Sequence, residues 1–198
     1  MKIYDCFTFY NEFELLELRL MALWDVVDYF VIVEANRKHN GEPKNFNLIE
    51  RKDDFKKFFP KIHYIMDTSV VEYKGAGDWS LENNQRNSIA KGLTEAEPDD
   101  LIMISDLDEI PAPDVFRRLQ ENKVALFDPA VIPVTLANKK ITCPAQLLVP
   151  AINFLEVGAI VMTQALFYYY FDWINSTTWH GTILTKRKNL TLPQILRN

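Results

Sequence analysis

The chain has 198 residues, of which 48% are hydrophobic and 25% charged; this is the composition of a folded globular protein and excludes intrinsic disorder. A net charge of −5 and a pI near 5.3 provide no basic surface for nucleic acid or for anionic membranes. The two cysteines, Cys6 and Cys143, form no Cys-x-x-Cys motif or His/Cys cluster, which argues against zinc and favours a reduced, cytoplasmic location.

The first 105 residues alternate between predicted strands and helices. Continuous apolar runs predict strands at 3–9, 29–33, 62–66 and 101–104. Helices are predicted at 11–24 with Asn11 as N-cap, at 53–59, and from Asp78 or Ser80 to Leu93. This alternation predicts an α/β fold, with a mainly parallel, Rossmann-like central sheet covered by flanking helices and residues 101–104 in its interior.

The pattern is less regular after residue 122. A helix is predicted at 114–122 and a late strand at 166–171, and prolines divide the chain between them into short apolar pieces. The stretch 147–171 is apolar, but Pro150, Glu156 and Gln164 interrupt it, so the sequence predicts no transmembrane segment.

Three carboxylates, Asp106, Asp108 and Glu109, follow the fourth predicted strand, and Pro111 ends any regular continuation. In an open α/β sheet, ligands bind beyond the carboxyl ends of the strands. Asp106 and Asp108 would project to the same side of an extended chain, where they repel each other unless a cation lies between them. Hard oxygen ligands suit Mg²⁺ or Mn²⁺, which also bind phosphate oxygens. The spacing is compatible either with such a metal–diphosphate site or with a solvated acidic turn.

Arg86 lies on the polar face of the predicted helix that precedes this strand, together with Glu82, Asn83 and Asn87. Taken alone, the pattern favours an i,i+4 ion pair between Glu82 and Arg86. The alternative is that the helix packs beside the acidic strand end and presents Arg86 to a nucleotide or its phosphates.

The sequence contains a series of motifs in a fixed order, of which SDLDEIP at 105–111 is the most specific. The others are YDCFTFYNE at 4–12, VIVEA at 31–35, NQRN at 84–87, FYYY at 167–170 and WHGT at 179–182. Together they resemble glycosyltransferase family 17, which includes the β-1,4-mannosyl-glycoprotein 4-β-N-acetylglucosaminyltransferases. The resemblance spans most of the chain and implies a GT-A type nucleotide-sugar-binding fold.

The resemblance also implies an activity: inverting transfer of a sugar, N-acetylglucosamine in the first place, from a UDP-sugar donor to a hydroxyl of a glycan acceptor. It implies that Asp106 and Asp108 hold Mn²⁺ or Mg²⁺ against the donor diphosphate, with Asp108 the better candidate for direct ligation. Arg86 and Glu34, with Asp106, are then expected to line the nucleotide side of the same cleft, because Glu34 leaves the second strand at the same sheet edge.

Inverting transfer also requires a general base that deprotonates the acceptor hydroxyl. The late candidates are Glu156, Asp172 and His180. Asp172 follows the FYYY block and His180 lies inside the WHGT block, so these two are the predicted catalytic residues. Neither matches a known family base.

By this resemblance the chain is one glycosyltransferase-like domain over 1–198. Residues 1–122 would form the nucleotide-sugar-binding half, 124–158 an insertion, and 159–198 an acceptor-side portion shorter than in the family. The short acceptor side leaves an alternative, a truncated domain that binds a UDP-sugar without transferring it, and we expect donor binding to exceed transfer.

Two other enzyme classes use paired aspartates. A phosphatase of the haloacid dehalogenase type carries Asp-x-Asp after its first strand, whereas here the motif follows the fourth. A nucleotidyltransferase would show a Gly-Ser loop before the aspartates, and the sequence has none.

Overall fold

Four parallel strands form the centre of the molecule. The computed structural model describes residues 1–120, 125–136, 139–148, 155, 159–167 and 174–197. Strands β1 (Ile3–Phe9), β2 (Tyr29–Ala35), β3 (Ile62–Asp67) and β4 (Leu101–Ser105) pair in parallel in the order β3-β2-β1-β4. The predicted α/β class with a mainly parallel central sheet and flanking helices is therefore confirmed.

Two antiparallel strands extend the sheet beyond β4. Strand β8 (Ile174–Lys186) pairs with β4, and β7 (Ala159–Phe167) pairs with β8, so β4 lies in the sheet interior as predicted. Strands β5 (Ala125–Leu136) and β6 (Lys139–Leu148) form a separate antiparallel pair.

The sequence did not predict β5, β6 and β8, and it missed residues 159–165 of β7. Pro133 lies inside β5 and Pro144 inside β6, and proline is normally a signal against a strand. Of the predicted strand 166–171, residues 166 and 167 belong to β7, while 168–171 lie outside the described residues.

Within the described residues, five α-helices connect or flank the strands, and three details differ from the prediction. The helix predicted to run to Leu93 ends at Asn87 and is followed by the 3₁₀-helix Ser88–Gly92. Residues 53–58 form consecutive turns and Phe59 begins a 3₁₀-helix. An α-helix occurs earlier instead, where the carboxylate of Glu34 accepts from the first backbone N–H groups of that helix. The N-cap of the first helix is Glu12, because it is the Glu12 carbonyl that accepts the helical hydrogen bond from Leu16. The helices are α1 (Phe13–Leu23), α2 (Asn47–Glu50), α3 (Ser80–Asn87), α4 (Asp114–Gln120) and α5 (Pro193–Arg197).

Each face of the sheet covers its own apolar core, because successive side chains of a strand point to opposite faces. Phe7, Ile32 and Met103 pack on one face, together with α1 and α4. Cys6 and Ile104 pack on the other, against the 3₁₀-helix Ser88–Gly92 and α5. Burial on both faces explains why residues 101–104 of β4 are all apolar. Among the helices of the described segments, none is long and apolar enough to cross a membrane.

Gly92 allows this 3₁₀-helix to approach the sheet closely. A Cβ atom at Gly92 would lie 2.4 Å from Cγ1 of Val31 on β2. The carbonyl oxygen of Gly92 is also 3.0 Å from Nδ1 of His63 on β3, which fixes the backbone at this point. The segment that joins α3 to β4 is therefore held against the sheet by a residue without a side chain.

Gly92→Ala is expected to lower the free energy of unfolding by roughly 1–3 kcal/mol, because the added methyl group overpacks the contact with Val31. Urea denaturation measures the change. In a Val31→Ala background, the same substitution should cost less, because the clashing methyl group is absent. An unchanged denaturation midpoint for Gly92→Ala would show that the backbone shifts to accommodate the methyl group without loss of stability, and would contradict this prediction.

Candidate functional site

A cleft opens at the carboxyl ends of β1 and β4 and has a volume of about 630 Å³. The end of β1, the segment after β2, helix α3, the turn after β4 and helix α5 all contribute to its wall. It is lined by Thr8, Phe9, Tyr10, Glu12, Leu15, His39, Trp79, Glu82, Asn83, Gln85, Arg86, Asp106, Leu107, Asp108 and Gln194.

The acidic motif after β4 forms a turn instead of continuing in extended conformation. The backbone N–H of Glu109 donates to the carbonyl of Asp106 at 3.1 Å, which closes the turn over residues 106–109. Asp106 and Asp108 both line the cleft, and Leu107 is buried. The expected alternation of an extended chain was wrong here, yet the two aspartates still share one cavity.

Arg19 of α1 holds the backbone of this turn in place. Its Nη1 donates to three backbone carbonyls of the turn, those of Asp106 at 2.9 Å, Leu107 at 3.0 Å and Glu109 at 3.3 Å. The side chain of Arg19 is fully buried. A planar guanidinium with five N–H donors is suited to collecting several acceptors in one place. The backbone of the acidic motif is thus fixed by a residue 87 positions earlier in the chain.

The charge of Arg19 is balanced by Asp5 on β1. Nε of Arg19 donates to one carboxylate oxygen of Asp5 at 2.8 Å, and Nη2 donates to the other at 2.6 Å. Nη2 also donates to Oγ of Ser105, the last residue of β4. Asp5 is fully buried as well. This bidentate pair joins α1, β1 and β4 directly beneath the cleft.

Glu109, the third carboxylate of the motif, is buried and supports the turn from inside. One carboxylate oxygen accepts from the backbone N–H of Asp106 at 2.9 Å, and the other accepts from Nε1 of Trp179 at 2.8 Å. Its carbonyl accepts from Oγ1 of Thr182 on β8 at 2.9 Å. Glu109 therefore connects the acidic turn to the antiparallel part of the sheet.

The two aspartates of the motif differ in their surroundings. Asp106 is ion-paired with Arg86, whose Nη2 lies 2.8 Å from Oδ1 of Asp106. Asp108 is exposed on the turn. The pKa of Asp108 is raised, first because the cleft reduces the hydration of the carboxylate and then because Glu109 and Asp106 add negative charge nearby. A positive charge bound in the cleft would offset this repulsion.

Arg86 lies beside the acidic turn after β4, as expected if α3 packs next to that strand end. Its Nη2 donates to Asp106 and its Nη1 to Oε1 of Gln194, and its side chain is 16% exposed. Nε of Arg86 is buried and has no hydrogen-bond partner within the segments the structure describes. Glu82 pairs with His39 instead, so the predicted i,i+4 pair with Arg86 is not the arrangement observed.

Glu34 ends up in a different place from the one expected. It lies near the end of β2 but does not contribute to the lining of the cleft, and its side chain is fully buried. Its carboxylate accepts from Nζ of Lys44, the hydroxyl of Tyr64 and the backbone N–H groups of Asn47 and Leu48. These contacts fix the start of α2 and the loop before it.

The predicted bases all lie late in the chain. Asp172 and Glu156 lie outside the described residues. The backbone of His180 belongs to β8, opposite Thr163 of β7. The catalytic assignments of Asp172 and His180 therefore stay predictions.

The structure adds cleft residues that the sequence did not single out. His39, which no sequence motif surrounds, lines the cleft, and its Nδ1 lies 2.7 Å from Oε1 of Glu82. The exposed ring of Trp79 lies at the start of α3. Gln194 of α5 reaches the same wall. Only position in the fold brings these residues together, since no motif surrounds them.

Comparison with known proteins identifies the family. The model of glycosyltransferase family 17 matches residues 1–129, which include the four parallel strands, α3 and the acidic turn. The chain belongs to glycosyltransferase family 17. The resemblance seen in the motifs is thereby confirmed.

The curated relatives of this family 17 chain share one name. The beta-1,4-mannosyl-glycoprotein 4-beta-N-acetylglucosaminyltransferase of Homo sapiens is 32% identical over 110 residues, which cover 52% of this chain and 21% of that protein. The proteins of the same name from Rattus norvegicus and Mus musculus are 32% and 31% identical over 110 residues. The matched region thus spans about a fifth of the length of these relatives.

A solved structure with a related chain trace is that of the mannosyltransferase PcManGT from Pyrobaculum calidifontis in complex with GDP-Man and Mn²⁺. It is 15% identical, with a TM-score of 0.44, and the match covers 94% of this chain and 45% of that chain.

Replacing Arg19 by Met should destabilise this family 17 domain by about 3–5 kcal/mol, because Asp5 would remain as a buried charge without a partner. Arg19→Lys, which keeps the charge but not the forked donors, should lie between Arg19→Met and the unchanged chain. Urea denaturation followed by circular dichroism measures both.

Lys57→Met is the matched control, because Lys57 forms an exposed pair with Glu17 at 3.2 Å and should have little effect on the denaturation midpoint. Equal, small effects of Arg19→Met and Lys57→Met would contradict the importance of the buried pair.

Proposed function

We propose that the chain is a metal-dependent, inverting glycosyltransferase that transfers N-acetylglucosamine from UDP-N-acetylglucosamine to a sugar hydroxyl of a glycan. The observation that carries the proposal is that Asp106, Asp108 and Arg86 converge on one cleft at the carboxyl ends of parallel strands. Family 17 membership supports sugar transfer, and the shared name of the matched relatives supports the donor sugar and a glycan acceptor.

The two aspartates offer the hard oxygen ligands that Mg²⁺ and Mn²⁺ prefer. In the described segments, no group of three or more His, Cys, Asp or Glu side chains could hold a metal ion. Such a cation often takes only one or two carboxylates and completes its ligands with waters and phosphate oxygens. Asp106 and Asp108 therefore suffice for a cation that binds together with the donor diphosphate. When bound, the cation would offset negative charge on the departing nucleoside diphosphate.

Arg86 supplies the protein's own positive charge at this end of the cleft. Its guanidinium lies beside Asp106, so a diphosphate held near the aspartates would lie within its reach. A buried donor without a partner costs about 1–3 kcal/mol, and a ligand oxygen near Nε of Arg86 would relieve that cost. We therefore assign Arg86 to the donor diphosphate.

Other residues of the cleft wall suit the nucleoside. Tyr10 and Trp79 offer ring faces on which a planar base can stack. Oε2 of Glu82 is buried and has no hydrogen-bond partner in the described part of the chain. A carboxylate oxygen can accept from the N–H of a uracil ring or from a ribose hydroxyl. Tyr10 directly follows β1, Trp79 directly precedes α3 and Glu82 lies in α3, so the donor would lie across the carboxyl ends of the strands, from Trp79 to Asp108.

The sugar acceptor would approach from the side of β8, the strand that contains His180. Asp172 and His180 are the predicted bases. The base must reach the acceptor oxygen on the face opposite the leaving diphosphate. Replacing Asp172 and His180 one at a time and measuring transfer would identify which of them is the general base. Replacement of the base should abolish transfer and leave donor binding intact.

Asp108→Asn should abolish Mn²⁺-dependent binding of UDP, lowering the affinity at least about tenfold, which corresponds to ~1.4 kcal/mol. Titration calorimetry of UDP with and without Mn²⁺ measures the change. Because the pKa of Asp108 is raised in the folded protein, its charged form opposes folding at neutral pH. The variant should therefore be at least as stable as the unchanged chain, which separates lost binding from lost folding.

Asp114→Asn is the matched control, because this carboxylate pairs with Arg117 on α4 and does not contribute to the cleft wall. It should bind UDP as the unchanged chain does. Mn²⁺-dependent binding that survives in Asp108→Asn would contradict the metal assignment.

The activity itself is tested by incubating the chain with UDP-N-acetylglucosamine, Mn²⁺ and a panel of glycans, followed by mass spectrometry of the products. The proposal predicts a product heavier by one N-acetylglucosamine, formed with Mn²⁺ and absent with EDTA or in Asp108→Asn. Donor binding without any product would show that the chain only binds the UDP-sugar. Absence of donor binding would contradict the proposal.

A further inference from the structure

The carboxyl-terminal helix α5 packs on α3, next to the cleft. The backbone N–H of Gln194 donates to Oδ1 of Asn87 at 3.0 Å, so the two helices are joined by a hydrogen bond. Leu190 is buried just before α5, and Leu196 packs against the core on this face of the sheet. These contacts fix the position of α5 independently of any ligand.

From this position the side chain of Gln194 reaches the guanidinium of Arg86. Oε1 of Gln194 accepts from Nη1 of Arg86, while Nη2 of the same guanidinium donates to Asp106. Both residues line the cleft. Arg86 is therefore held at one end by the acidic turn and at the other by a residue 108 positions later in the chain.

A long arginine side chain has several rotamers, and ordering it on binding costs about 0.5–1.5 kcal/mol. A guanidinium that is already oriented avoids this cost when a ligand binds. Asp106 alone would hold Arg86 by an ion pair, but a cation bound by Asp106 would compete for that carboxylate. Gln194 is neutral and does not compete for a cation, so its contact with Arg86 can persist when the site fills.

We propose that Gln194 is a positioning residue, which holds Arg86 in place for the donor diphosphate and makes α5 a part of the donor site. This inference rests on the proposed function, in which Arg86 binds that diphosphate. Gln194 lies beyond residues 1–129, the region matched by the family model. It is therefore a feature of this chain that the family match does not include.

A double-mutant cycle on UDP binding tests the proposal in the full chain with Mg²⁺ present. Gln194→Met keeps the side-chain length but removes the acceptor, and should weaken UDP binding about tenfold. Arg86→Met should weaken it further. In the Arg86→Met background, Gln194→Met should have no additional effect, because the proposed role of Gln194 is exerted through the guanidinium.

The Arg86 Nε–Hε signal in ¹⁵N NMR, assigned by its absence in Arg86→Met, reports on the guanidinium directly. It should shift or broaden in Gln194→Met. Ile195→Ala is the matched control, because Ile195 is the next residue of α5 and 59% of it is exposed. This control should leave the signal, UDP affinity and melting temperature unchanged.

Each possible result has a definite meaning. If the unchanged chain does not bind UDP, the proposed function fails, whatever Gln194 does. If Arg86→Met weakens binding and Gln194→Met leaves both binding and the Arg86 signal unchanged, the inference about Gln194 is overturned while the function stands. Additive losses in the cycle, with a lower melting temperature for Gln194→Met, would assign Gln194 to the docking of α5 and also overturn it.

Discussion

The buried ion pair between Arg19 and Asp5 is the interaction on which the candidate site depends. Burying two charges costs several kcal/mol per ion unless each is paired and its remaining hydrogen-bonding groups are satisfied. Here the guanidinium meets both oxygens of Asp5, the hydroxyl of Ser105 and three carbonyls of the acidic turn. The position of the turn is therefore set by the same contacts that make the buried charges tolerable.

With the turn fixed in this way, its three carboxylates take different roles. Glu109 faces inward and joins the turn to Trp179 and the backbone of Asp106. Asp106 faces the cleft but is paired with Arg86, and Asp108 is exposed beside both. The negative charge available to a cation is thus concentrated on one side of the turn, next to a fixed positive charge for phosphate.

Sequence patterns predicted the parallel half of the fold because its signals are local. A continuous apolar run such as β4 can only be buried on both faces, and strands that alternate with helices form parallel sheets. The same argument placed Asp106 and Asp108 at the carboxyl end of β4, where both line the cleft. Strand β8 was missed because its pairing with β4 is long-range, and β5 and β6 were missed because each contains proline.

The supporting residues of the site were not predictable for a related reason. Arg19 lies on a helix among leucines, where a charged residue is usually exposed, and only its partner Asp5 on β1 explains its burial. His39 and Gln194 lie in segments without a motif and reach the cleft only through the fold. Glu34 was predicted to line the cleft but does not. Its carboxylate accepts hydrogen bonds from Lys44, Tyr64 and the start of α2 instead.

The most direct test of this account is a crystal structure of the chain with UDP and Mn²⁺, in which anomalous scattering locates the metal without reference to the refined coordinates. The account predicts one Mn²⁺ peak in coordination distance of a carboxylate oxygen of Asp108, with the diphosphate between it and Arg86. A Mn²⁺ ion bound away from Asp106 and Asp108, or UDP bound outside this cleft, would contradict it.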